Sequence, residues 1–96
     1  MGGHPEGEGL IDIIMNSIVY VLKLADHTTY IGYTNNLVKR LESHNAGKTR
    51  SIKHKLPAKL VYYETFSNKT LGRKRELELK NNSSKKENLY KRIFTR

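Results

Sequence analysis

Two runs of β-branched and aromatic residues, Ile18–Leu24 and Thr28–Thr34, are separated by only Ala25-Asp26-His27. Such side chains fit a pleated, extended backbone, and a link this short lets two strands meet only in antiparallel pairing. Asp26 suits the turn because its carboxylate can bond the backbone two residues on. A β-hairpin over residues 18–34 is the fixed point from which the rest of the chain is read, and it sets Tyr20 and Tyr30 on neighbouring strands.

Beyond the hairpin, Leu37, Leu41 and His44 recur at intervals of four and three. That spacing predicts a helix over 36–45, capped by Thr34 or Asn35 and stopped by Gly47, with Arg40 on the edge of its buried face. Residues 46–57 show no apolar period and carry Lys48, Arg50, Lys53 and Lys55, so they are expected to form a basic loop. After Pro57, the run around Leu60-Val61-Tyr62-Tyr63 predicts a third strand over 58–66. Ser67 or Asn68 can cap a helix reaching Lys80. Ser84 and Glu87 have the spacing of a capping box that opens a last helix to about Ile93, with Leu89, Tyr90, Ile93 and Phe94 supplying core. Three strands are too few to stand uncovered. The order ββαβαα therefore predicts an α+β fold, a small three-stranded antiparallel sheet flanked by helices.

The chain of 96 residues has room for one such domain, and charge is unevenly distributed along it. All 18 basic residues and six of the nine acidic ones lie in 17–96, which leaves that part at +12. Residues 1–16 hold Glu6, Glu8, Asp12 and four glycines, and are expected to be a leader or an alternative-start tail, with the folded domain spanning 17–94. A positive excess of this size makes a polyanion the default partner, because Lys and Arg on phosphates release condensed counterions. Nucleic acid is the expected partner. The absence of cysteine excludes disulfides and thiolate metal sites. No apolar run is long enough to cross a bilayer, so no membrane partner is expected and a cytoplasmic location is.

Within the second strand, Gly32 interrupts a β-branched run, which usually marks a bulge or a close approach of another group. Ten residues separate Tyr20 from Tyr30, and ten more separate Tyr30 from Arg40. On these residues the sequence resembles the GIY-YIG nuclease superfamily. Ile18-Val19-Tyr20 stands at the first tripeptide and keeps only its tyrosine, Tyr30-Ile31-Gly32 matches the second, Arg40 fits the arginine of the following helix, and Glu76 fits the glutamate of a later one. Asn45-Ala46-Gly47-Lys48, Glu76-Leu77-Glu78-Leu79-Lys80 and the Lys85-Lys86 pair are similar to stretches in the short, stand-alone, uncharacterised bacterial members, and the resemblance covers about residues 18–89.

The resemblance implies a metal-dependent endonuclease acting on DNA, directed by structure rather than sequence, and of use in repair or recombination. It implies that Glu76 holds one divalent cation, Mg²⁺ or Mn²⁺, which keeps several waters and takes phosphate oxygens as further ligands. Tyr20 would take a proton from the attacking water, given a phenol lowered by neighbouring positive charge. Arg40 would fork onto the scissile phosphate, Tyr30 would position water or phosphate, and His44, one turn beyond Arg40, would bond phosphate or Tyr20. Gly32, Lys48, Arg50, Lys53, Lys55, Lys85 and Lys86 are the expected nucleic-acid contacts, and the basic ones lack the fixed geometry that reads bases.

Taken without the resemblance, the same residues have plainer readings. Tyr20 and Tyr30 suit an ordinary sheet, and Arg40 and His44 suit a helix edge that covers apolar surface. On a helical wheel Leu71, Gly72, Arg75 and Leu79 form one face, with Glu76 and Glu78 flanking it on opposite sides, so periodicity does not choose between the two acids. Glu78 is expected to pair with Lys74. Gly72 suggests a close helix–sheet contact. The alternative function is a nucleic-acid-binding module that kept the fold and lost the reaction. A third is an adaptor meeting an acidic protein. A chain this short has no room for a separate specificity domain, so recognition would come from DNA shape, from a protein partner supplying specificity, or not at all.

Overall fold

The computed structural model describes residues 17–95; the expected leader lies outside the described residues. Strand β1 (Ser17–Lys23) and strand β2 (Thr29–Thr34) form the hairpin, with Tyr20 opposite Gly32 and Leu22 opposite Tyr30. The turn between them places His27 at φ +70°, and Asp26 accepts from the Thr28 amide at 3.1 Å. Helix α1 (Leu37–Asn45) follows, then a 3-10 turn (Lys53–Lys55), strand β3 (Lys59–Phe66), helix α2 (Lys69–Asn81) and helix α3 (Ser83–Phe94). The sheet order is β2-β1-β3 and all pairing is antiparallel. The predicted α+β class and element order are observed. No helix among the described residues is long and apolar enough to cross a membrane.

Strand alternation divides the core in two. On one face Ile18, Tyr20 and Leu22 pack with Leu37 of α1 and with Ile52 and Ala58. On the other, Val19, Val21 and Ile31 pack with Leu79 of α2 and Leu89 of α3. The central strand thus has both faces covered, and each fully buried aliphatic residue contributes about 1.5–3 kcal/mol. An extra residue in β3, at the register shift opposite Val21 and Leu22, lets Leu60 serve the first face while Tyr62 serves the second.

Several local expectations are corrected. Asn36 caps α1, accepting from the Lys39 amide at 3.1 Å, because Thr34 is still paired in β2. Asn82 caps α3, ahead of the Ser84 and Glu87 box, and accepts from the Lys85 amide at 3.1 Å. The basic loop is not wholly polar: Ile52 is buried and pins it to the first core. Phe94, expected in the core, is exposed. The face that α2 buries runs Gly72, Glu76, Leu79, and Leu71 points to solvent. At Gly72 the close contact is real, since a Cβ there would stand 2.5 Å from Ser17 Oγ and 2.7 Å from the Tyr33 ring.

Candidate active site

The two faces of the sheet meet at one place, the outer edge of β2. Tyr30, Gly32 and Arg40 from the α1 side and Tyr33, Lys69, Arg73 and Glu76 from the α2 side line a single cavity of about 430 Å³. Gly32 is central to this. Its missing side chain leaves room for the Tyr20 phenol, whose Cζ and Oη would each lie 2.3 Å from a Cβ built there. The close approach expected at this glycine is therefore made by a residue of the chain itself, the cross-strand neighbour Tyr20. Tyr20 is fully buried and lies behind the Gly32 backbone rather than lining the cavity.

The Tyr20 hydroxyl is 2.7 Å from His44 Nε2, and His44 Nδ1 is 2.6 Å from Thr49 Oγ1. The buried imidazole is thus partnered on both nitrogens. The rings of Tyr20 and Tyr30 lie 6.4 Å apart, and that of Tyr30 lies edge-on to His44 at 5.2 Å. Burial and then the Arg40 charge push the His44 pKa below the usual histidine value, so the ring is neutral near pH 7. Burial, helped by Tyr30, pushes the Tyr20 phenol well above its ordinary value, with Arg40 opposing. The expectation of a lowered phenol is overturned. Net positive charge on the domain is spread over its surface, and at a buried hydroxyl desolvation outweighs it.

Glu76 reaches the edge from the opposite side. Its Oε1 accepts from Arg73 Nη1 at 3.2 Å and its Oε2 from Lys80 Nζ at 3.0 Å. Arg73 also stacks on Tyr33, its guanidinium carbon 4.9 Å from the ring centroid. A second ion-pair group ties α2 to its neighbours. Arg75 donates to both oxygens of Glu64 on β3 at 2.9 Å and to Glu78 at 2.8 Å, and Lys85 of α3 lies 3.2 Å from Glu78. Glu78 therefore pairs with Arg75, three residues before it on α2, and with Lys85 of α3, not with Lys74.

The structure brings together Tyr20, Tyr30, Arg40, His44, Gly32 and Glu76 and scatters the expected basic contacts. Lys86 lines an adjoining cavity of about 220 Å³ with Tyr30 and Lys80. Lys48, Arg50 and Lys53 are exposed on the loop after α1. Lys55 lies 3.5 Å from Asp26, and Lys85 is engaged by Glu78. Ile18, standing where the family's tripeptide has glycine, is fully buried core and does not line the cavity. Sequence reasoning missed Thr49, Arg73 and Lys80. The last two carried a signal, since they stand three before and four after Glu76, where helix neighbours meet.

Glu76 is the one carboxylate on the wall of this polar cavity, and no group of three or more His, Cys, Asp or Glu that could hold a metal ion occurs among the described residues. A hard divalent ion that keeps its waters and takes phosphate oxygens asks no more of the protein than one such carboxylate.

Comparison with known proteins gives a consistent picture. The family profile described as the GIY-YIG catalytic domain matches residues 16–91. A UPF0213 protein of Streptococcus pyogenes serotype M5 is 42% identical over 72 residues, 74% of this chain and 78% of its own. One from Bacillus pumilus is 42% identical over 76 residues, 78% of each chain. The solution structure of a UPF0213 protein of Bacillus halodurans superposes with a TM-score of 0.53 at 27% identity, covering 84% of this chain and 89% of that one.

Proposed function

The chain belongs to the GIY-YIG catalytic-domain family and to the UPF0213 proteins, and from that premise we propose that it is an endonuclease hydrolysing DNA phosphodiester bonds with a divalent cation. The observation that carries this is the cavity at the β2 edge, where Tyr30 and Arg40 from one face meet Glu76 from the other. Hydrolysis needs an activated water, compensation for charge on the transition state, and help for the leaving oxygen. Arg40 offers the phosphate a planar fork of donors, and Lys69 and Arg73 supply further positive charge on the same walls. Glu76 is the residue to hold Mg²⁺ or Mn²⁺, which when bound stabilises the departing 3′-oxygen.

The proton path uses the buried chain behind Gly32. With the His44 proton on Nδ1, the Tyr20 hydroxyl donates to Nε2 and Nδ1–H donates to Thr49 Oγ1, and this is the tautomer the proposal uses. A phenol raised by burial stays protonated near pH 7 and a His44 held neutral by burial is a weak proton acceptor, so the Tyr20–His44 contact orients the phenol, and Tyr20 becomes a base for a water at the Gly32 wall only as the charge of the bound cation lowers it. With few fixed donors for bases, recognition follows DNA shape or a protein partner, and a cytoplasmic role in repair or recombination fits such a substrate.

A specific observation supports the alternative of a binding module: Tyr20 is fully buried and both Glu76 oxygens are engaged by cations. Incubation with branched, nicked and single-stranded DNA plus Mg²⁺ or Mn²⁺ decides between them. Metal-dependent cleavage that Glu76→Ala and Tyr20→Phe abolish is the expected result. No product, with steeply salt-dependent binding that survives Glu76→Ala, would establish the alternative.

A further inference from the structure

Arg73 and Lys80 occupy both oxygens of the carboxylate that the proposed function gives to a cation. The Glu76 side chain is only 10% exposed, so little water shields it from the two charges. A hydrated divalent ion approaching it meets two positive groups at hydrogen-bond distance from the atoms it must ligate. Nor does the protein offer that ion a strong alternative, because Glu76 belongs to no cluster of three metal-ligating side chains among the described residues.

The two cations face different cavities. Arg73 lines the one holding Arg40 and Lys69, whereas Lys80 lines the one holding Lys86, and Tyr30 belongs to both. Their side chains are 55% and 44% exposed, so each can swing to an anion in its own cavity without unpacking the core. Two cavities adjoining at Tyr30, one with three cations and the other with two, suit successive phosphates of one nucleic-acid strand.

We propose that Arg73 and Lys80 make cation binding at Glu76 conditional on substrate. Phosphates of the bound strand draw both side chains off the carboxylate, and the same phosphates bring oxygens that complete the ligand set. Free protein then holds a divalent ion weakly, and strand and ion bind with positive, reciprocal coupling. This rests on the proposed function for the identity of the metal-holding residue.

The test is Mn²⁺ binding to the full chain, read from the free-ion EPR signal, with and without a phosphorothioate oligonucleotide that resists cleavage. Glu76→Gln measured alongside subtracts the ion held by the oligonucleotide itself. Glu76-dependent affinity should rise at least about tenfold when the oligonucleotide is present. The double variant Arg73→Gln/Lys80→Gln should bind Mn²⁺ without oligonucleotide several-fold more tightly than wild type. Lys59→Gln/Lys91→Gln, which removes the same charge from exposed positions that do not touch Glu76, should not. Circular dichroism of each variant checks that the fold is kept. Equal affinity with and without oligonucleotide, a double variant no tighter than wild type, or a control that tightens as much overturns the inference and leaves the proposed catalytic residues in place. No Glu76-dependent binding in either condition removes the metal site, and the inference with it.

Discussion

The two faces of the sheet handle charge in opposite ways. On the α1 side, Arg40 apart, the polar groups form a neutral chain from the buried Tyr20 and His44 to the half-buried Thr49. On the α2 side they form ion pairs, Glu76 with Arg73 and Lys80, and Arg75 with Glu64 and Glu78. Low dielectric makes a buried ion costly and a buried neutral hydrogen bond tolerable, and the proposed function accordingly gives the proton path to the closed face and the cation to the half-open one. The two jobs meet only where Gly32 thins the sheet edge.

If the jobs are separate, they fail separately, and these are the largest effects expected. Tyr20→Phe should lower single-turnover cleavage about 10²–10⁴-fold, as expected for losing a general base, while leaving Mn²⁺ affinity in the presence of oligonucleotide unchanged. Glu76→Gln should lower cleavage about 10²–10³-fold or more and abolish that Mn²⁺ binding. A Tyr20→Phe protein that also loses the ion would break the division between the faces.

Gly32→Ala should damage stability and cleavage at once. The added methyl collides with the Tyr20 hydroxyl, which has no free space to retreat into because the ring is fully buried. Overpacking of this kind costs about 1–3 kcal/mol of stability, readable as a lower denaturant midpoint. It also pushes the hydroxyl off His44, so cleavage should fall nearly as far as in Tyr20→Phe. An alanine variant with normal cleavage would mean that the Tyr20–His44 contact is dispensable.

The hairpin, the helices and the residues gathered at the edge were legible in the sequence. Strand alternation, short connections and the spacing of Tyr20, Tyr30, Arg40 and Glu76 are local or family-level signals. What stayed hidden depends on the tertiary environment of particular atoms. A helical wheel weighs apolarity and so leaves Glu76 at the side of its helix, yet the carboxylate is buried because Arg73 and Lys80 neutralise it. Loop composition marked 46–57 as basic and passed over Thr49, whose value lies wholly in meeting His44. The domain's charge suggested a lowered Tyr20 phenol, but desolvation acts on the atom and not on the sum.

Acid should expose the α1 face next. The folded His44 pKa is depressed by burial and by Arg40, so the neutral ring contributes stability above the unfolded histidine value, and that contribution is lost as pH falls below it. Protonated His44 cannot accept from Tyr20, so kcat should show an acid limb below the ordinary histidine range. Thr49→Val, which removes the Nδ1 partner, should shift that limb by a fraction of a unit to about one unit, with Thr49→Ser restoring it. A limb identical in wild type and Thr49→Val would detach Thr49 from the proton chain.

The smallest effect tests whether the two ion-pair groups of the α2 face differ in role. Arg75 ties β3 to α2 through Glu64 and lies outside the cavity that holds Glu76. Burial alone would push the Glu64 carboxyl up, but hydrogen bonds from Arg75 and Tyr62 outweigh it and hold it below the ordinary range. That pair therefore contributes stability that is complete above the unfolded carboxylate value and disappears as pH falls through the lowered one. Arg75→Ala should cost about 1 kcal/mol near pH 7, since the pair is partly open to water, and the difference from wild type should vanish in acid. Per folded molecule its cleavage rate and Mn²⁺ coupling should match wild type. A loss of coupling in Arg75→Ala would instead join the two groups into one network, with Glu76 responding to charges beyond its own two partners.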